Sequence, residues 1–124
     1  MSNYKIVSMQ NEPRVELKEA LGLSGCELSN NRLPANASVS FVHSHKQNKE
    51  LYLALKGGGM LFVGSEETAV KKGDAIRIDP AGKRYFKAGA QGMKYICIQT
   101  KRGSLEQYTM DDGVINEDVK PSWL

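Results

Sequence analysis

From Cys26 to Thr100 the chain reads as extended: β-branched, aromatic and aliphatic residues alternate with polar ones, the repeat of strands with one buried face. The pattern predicts strands at Cys26 to Arg32, Ser38 to His43, Glu50 to Lys56, Gly59 to Val63, Thr68 to Val70, Asp74 to Ile78, Lys83 to Lys87 and Lys94 to Thr100. Turn residues separate them at Leu33-Pro34-Ala35-Asn36, Gly57-Gly58, Gly64-Ser65-Glu66-Glu67, Lys72-Gly73 and Gly89-Ala90-Gln91-Gly92. Upstream the period changes. Leu17, Ala20, Leu21 and Leu23 stand at near-helical spacing among Glu and Lys, which predicts a short helix within Val15 to Leu23, stopped at Gly22 or Gly25. So many short strands are the pattern of an all-β sandwich or barrel.

The chain has two histidines, His43 and His45, at the end of one of these apolar runs. In a strand, residues i and i+2 share a face, so both imidazoles can aim at one point while Ser44 turns away. Lys46 to Lys49 is short and polar, suited to a turn that brings the chain back into Glu50 beside the histidines. Two neutral imidazoles and a carboxylate on one side of a divalent ion form the facial set associated with non-haem iron, and the same donors suit zinc, manganese or nickel. By themselves two histidines in a strand are more often ordinary surface or core-edge residues.

The segment HSHKQNKELYLALKGGG adds context: histidines at 43 and 45, Glu50, then Gly57. It resembles the first motif of the cupin superfamily. A counterpart of the second motif runs from Gly73 through Pro80-Ala81-Gly82 to Tyr85, with one extra residue before the proline and a tyrosine where many cupins place a third histidine. The two motifs cover roughly residues 38 to 100. The resemblance implies a single-domain jelly-roll β-barrel, a divalent metal ion (Zn, Fe, Mn or Ni) held by His43, His45 and Glu50, and association as a homodimer. A phenol ionises near pH 10 unless a dication favours phenolate, so wall of the pocket or hydrogen-bond donor to metal-bound water ranks ahead of direct ligation for Tyr85. An ordinary half-buried strand tyrosine is the plain alternative.

Alternation proposes the neighbours of the site. Tyr52 and Ala54 share a face with Glu50, and Phe41 with His43. On the last strand either Tyr95, Cys97 and Gln99 or Ile96 and Ile98 face inward, and the pattern does not choose. Met60 and Phe62 fit ordinary core packing.

Length and composition set the remaining bounds. The 124 residues, 40% hydrophobic and 25% charged, suit one domain with a real core. Within it, residues 1–25 are expected to pack a strand and short helix on the barrel, 26–102 to form the barrel, and 103–124 to extend it. No apolar run approaches a membrane span, and the start, Met-Ser-Asn-Tyr-Lys, lacks the apolar core of a signal peptide, so no membrane partner and a cytoplasmic location are expected. Cys26 and Cys97 then read as free packing residues.

The formal net charge of +3 hides an asymmetry: residues 43–102 hold 12 Lys and Arg against 5 Asp and Glu, and residues 103–124 hold 5 acids and one lysine. A basic barrel attracts anionic metabolites. The charges are scattered and not interleaved with aromatics, which excludes a nucleic-acid partner as the expectation. Arg77, Lys83 and Arg84 flank the second motif and are candidates for such an anion. In the tail, Leu105, Tyr108, Met110, Val114, Ile115 and Trp123 call for an apolar surface, the barrel wall or a neighbouring subunit.

The functional expectation is a metal-binding cupin acting on a small organic, possibly anionic, metabolite, with the ion as Lewis acid or redox centre. An oxygenase, isomerase or lyase fits. A non-catalytic binding or sensing module, or a motif that has lost its metal, uses the same residues, and fold resemblance does not separate them. Tyr85, Tyr52, Gln99 and Arg77 are the candidates for the pocket around the ion.

Overall fold

The computed structural model describes residues 3–9, 12–107 and 109–124. Its elements, in chain order, are β1 (Arg14–Glu16), α1 (Lys18–Leu21), β2 (Glu27–Leu33), β3 (Asn48–Val63), β4 (Glu66–Lys71), β5 (Ala75–Ile78), β6 (Arg84–Lys101) and α2 (Thr109–Asp112). All pairings are antiparallel, in the order β1-β2-β6-β3-β4 with β5 also on β3. The all-β barrel is therefore built around two long strands, β3 and β6, whose register runs from Asn48↔Lys101 to Val63↔Arg84.

Each long strand replaces two short ones expected from the sequence. Gly57-Gly58 does not turn the chain, and neither does the stretch from Gly89 to Gly92. The glycines are there because backbones approach closely. A Cβ on Gly59 would lie 2.0 Å from the Lys87 carbonyl oxygen, and one on Gly57, whose φ is +69°, would lie 2.1 Å from that of Gly92. Register shifts between Ala54 and Lys56 and between Gly57 and Gly59 accompany this approach and bend the ladder.

The shifts also change which residues face inward. Glu50, Tyr52 and Ala54 are buried on the first half of β3, but Leu61 is the buried residue on the second half, while Met60 is 43% exposed. Core packing by Met60 is thus overturned by the bulges. On β6 the inward set is Arg84, Phe86 and Ala88 before the second shift and Met93, Tyr95 and Cys97 after it. Ile96 and Ile98 lie on the other face, which settles the ambiguity in favour of Tyr95, Cys97 and Gln99. The core joins Tyr52, Leu61, Val70, Ile78, Phe86, Met93 and Tyr95, with the Phe86 and Tyr95 rings stacked at 5.6 Å.

Two further expectations are corrected. The helix is one turn, Lys18–Leu21, because Val15 is taken into β1 against Asn30; it ends, as anticipated, at Gly22 in the left-handed region. Residues 38–43 do not form a strand. They touch β6 at two bridges, Ser38↔Lys87 and His43↔Arg84, so five steps of this segment face three of β6 and the excess at Ser40 to Val42 bows out.

The described apolar residues of the tail do not pack on the barrel wall. Leu105, Met110, Val114, Ile115 and Trp123 are each at least 77% exposed, and Tyr108 lies outside the described residues. Among the described residues, no helix is long and apolar enough to cross a membrane.

Candidate metal centre

His43, His45 and Glu50 meet, though not through the hairpin their spacing suggests. Asn48 and Lys49 already belong to β3, and the histidine segment is held from the opposite side. His43 exchanges both backbone hydrogen bonds with Arg84, at 3.1 and 2.9 Å, and the His45 N–H donates to the Pro80 carbonyl at 2.8 Å. Glu50 lies on β3 between Ile78 of β5 and Gln99 of β6. The loop from Pro80 to Arg84 is thus the template that presents the imidazoles to the carboxylate.

The donor atoms lie within 4.8 Å of one another. His43 Nε2 stands 3.6 Å from Glu50 Oε1 and His45 Nε2 3.5 Å from Glu50 Oε2. Donors sharing one tetrahedral ion at about 2.1 Å lie about 3.4 Å apart, so the two histidine-to-Glu50 spacings match a shared ion. The imidazoles meet edge to face at 5.1 Å. His45 Nε2 is buried and has no hydrogen-bond partner among the described residues. A buried nitrogen lone pair without a proton donor is costly in a finished fold, and an ion is the partner its position suits.

Glu50, 3% exposed, is the hub of the site. Tyr52 donates its hydroxyl hydrogen to Oε1 at 2.8 Å, and the Cys97 thiol donates to Oε2 at 3.2 Å. Burial, reinforced by the neighbouring acids, pushes Cys97 up to about 12 and holds the Tyr52 phenol far above its ordinary value; burial also pushes Tyr95 up to about 12. These groups keep their protons at neutral pH. His43 moves the other way: burial lowers it below 6.5, partly opposed by Glu50, and keeps it in the neutral form that binds metals.

Arg84 completes the site. It is 1% exposed, its Nε stands 3.6 Å from Glu50 Oε1, and its Nη2 donates to the Asp79 carbonyl at 2.8 Å. Sequence reasoning placed it beside the second motif without seeing that it points inward. The signal was present: Arg84 alternates in step with Phe86 and Ala88, and Lys83 and Lys87 mark the opposite, solvated set.

These groups form the inner wall of a cavity of about 570 Å³ that also takes in Arg14, Arg32, Asn31, Phe41 and Gln99. Gln99 accepts a hydrogen bond from Asn48 Nδ2 at 3.3 Å. Tyr85 reaches the cavity at its edge, where its hydroxyl donates to Ser38 Oγ at 2.7 Å. Arg77 does not join the site: its side chain is 67% exposed and pairs with Asp79 at 3.3 Å, because odd positions of β5 face out.

Fold and site together define a small barrel with an inward-facing His-His-Glu set. Residues 32–99 match the family described as Cupin domain, and the chain belongs to that family. The structure is similar to a cupin protein from Bacteroides fragilis, at 48% identity and a TM-score of 0.90, covering 94% of this chain and 99% of that one. It shares the fold of a sugar phosphate isomerase of the cupin superfamily from Silicibacter pomeroyi, with a TM-score of 0.63 at 21% identity over 72% of this chain and 60% of that one. In sequence, 43 residues are 40% identical to an uncharacterized protein of Methanocaldococcus jannaschii, a match spanning 35% of this chain and 34% of that protein.

Proposed function

We propose that the protein holds one divalent metal ion through His43, His45 and Glu50 and acts on a small organic anion bound in the adjoining cavity. The convergence of the three donor groups within 4.8 Å at the cavity wall, with buried His45 Nε2 lacking a hydrogen-bond partner among the described residues, carries the reading. When bound, the ion would supply Lewis acidity to a substrate oxygen or, if it is a redox metal, an electron-transfer centre. The chain's own residues do the rest. Tyr52 and Cys97 fix the carboxylate by donating to its two oxygens, and the Pro80 and Arg84 backbones fix the imidazoles.

The cavity favours an anion. Arg14, Arg32 and Arg84 line it, Arg14 paired to Glu16 at 3.0 Å and Arg84 standing 3.6 Å from Glu50, which leaves three arginines against two acids. An isomerase of the same fold works on sugar phosphates, by its name, and lends support to this class of substrate.

A second reading, a binding or sensing module, is favoured by one observation. Proton transfer is most effective when the acid or base titrates near the working pH, and Tyr52, Tyr95 and Cys97 all hold their protons far above it. Tyr52 and Cys97 donate their protons to Glu50, so they hold the carboxylate in place rather than exchange protons with a ligand. The two readings separate on a panel of carboxylates and sugar phosphates, with neutral analogues as controls, scored for thermal stabilisation and for product by mass spectrometry. The enzymatic reading expects an anion that is both stabilising and converted, with conversion lost in His45→Ala. Saturable stabilisation without product assigns the binding module, and no preference for anions removes the substrate class.

A further inference from the structure

A fully buried arginine stands 3.6 Å from the carboxylate that a metal ion would use, on which two histidines also converge at 3.6 and 3.5 Å. We propose that Arg84 is a resident counter-cation for Glu50, giving the site two charge-compensated states, arginine-paired and metal-loaded, whose competition sets the metal affinity. The inference rests on the assignment of His43, His45 and Glu50 as ligands.

The geometry gives Arg84 this role in three ways. Glu50 is 3% exposed, and a buried carboxylate demands an opposite charge. Arg84, 1% exposed and 3.6 Å from Glu50 Oε1, supplies it, because a guanidinium stays charged in any protein environment. Second, Arg84 cannot leave when an ion enters. Its backbone is paired to His43 in both directions and its Nη2 is tied to Asp79, which fixes the cation beside the ligand set. Third, the pairing is electrostatic and not a tight fork. Arg84 Nε and Nη1 are buried without hydrogen-bond partners among the described residues, and 3.6 Å exceeds hydrogen-bond length. Tyr52 and Cys97 hold the carboxylate in place, and with no direct bond to Arg84 its oxygens keep lone pairs open to another cation. With Arg84 present, the charges of Glu50 and the guanidinium cancel before a dication arrives; with a neutral side chain in its place, the dication would meet a net negative site. Like charges at this range repel strongly in a buried setting.

The test uses metal-free full-length protein, with R84M, R84Q and R84K, titrated with Zn²⁺ and with Mn²⁺ by calorimetry. R84M and R84Q are expected to bind at least about tenfold tighter than wild type, and R84K within about threefold of it. A merely structural arginine would give the opposite sign, since loosening the ligand set weakens binding. A second measurement is melting in chelator: R84M is expected to lower Tm by about 5 °C or more, and to have less than half that effect in an E50Q background. If Met at this position prevents folding, R84Q carries both measurements. Equal or weaker metal binding by R84M and R84Q, or an undiminished melting loss in the E50Q background, overturns the inference. Should no form take up either metal while the melting coupling persists, the ligand assignment itself falls, and with it the competition.

Discussion

The two halves of the barrel interior are built from opposite materials. Toward Gly57–Gly59 the inside is apolar, with Leu61, Val70, Ala88 and Met93 each at most 5% exposed and backbones pressed together wherever a side chain is missing. Toward Glu50 the inside is equally buried yet polar: a carboxylate accepts from a phenol and a thiol, with an arginine 3.6 Å away. The first half gains stability from close packing. The second half contains groups that are costly to bury and are compensated only by one another. Folding and ligand chemistry are therefore spatially separated, and substitutions in the two halves should have separable consequences.

The largest stability effect is expected in the apolar half. Leu61→Ala should lower unfolding free energy by about 3 kcal/mol, read from urea denaturation, with metal content per folded molecule unchanged. Gly59→Ala should follow at about 2 kcal/mol, because the added methyl meets the Lys87 carbonyl and forces the bulge apart. A neutral outcome there would show that the register shift tolerates a side chain and that close approach is not the reason for the glycine.

These two positions also mark what was legible in the sequence. Alternation identified Glu50 with Tyr52 and Ala54 as one inward face, and the spacing of His43, His45 and Glu50 identified the donor set that the fold brings together. Gly57-Gly58 reads as a turn in the sequence but runs through β3, because glycine marks both turns and close approaches and only the partner strand distinguishes them. The inward turn of Arg84 was obscured by the same kind of ambiguity. The motif singles out Tyr85 by its position, whereas the side chain that reaches Glu50 is set by the phase of β6 with Phe86 and Ala88. Bulges shift that phase, and their positions depend on contacts far apart in the chain.

The polar half should respond to pH. Cys97, Tyr52 and Tyr95 are all raised from their ordinary 9.0 and 10.0 by burial, so the unfolded chain loses these protons first as pH rises. Their contribution is fully present below pH 9 and is lost as pH climbs from there through about 12. Thermal melts between pH 8 and pH 11 should show a steady fall in Tm, and a flat profile would mean that these groups are not protected. At pH 8 the half-buried Cys26 should react with a thiol reagent well before Cys97 does.

The smallest effect is expected at the rim. Tyr85→Phe removes a hydroxyl already committed to Ser38, so metal affinity should stay within about twofold of wild type. A tenfold loss would bring the phenol into the ligand set and redraw the boundary of the polar half.

The account depends most on whether the polar half holds a metal. Elemental analysis after reconstitution with Zn²⁺, Mn²⁺, Fe²⁺ or Ni²⁺ and removal of excess ion tests it directly. The account predicts about one equivalent per folded chain for at least one of these metals, and less than about a tenth in a folded His43→Ala/His45→Ala variant. Less than about a tenth of an equivalent in the wild type, or equal content in the two proteins, would contradict it.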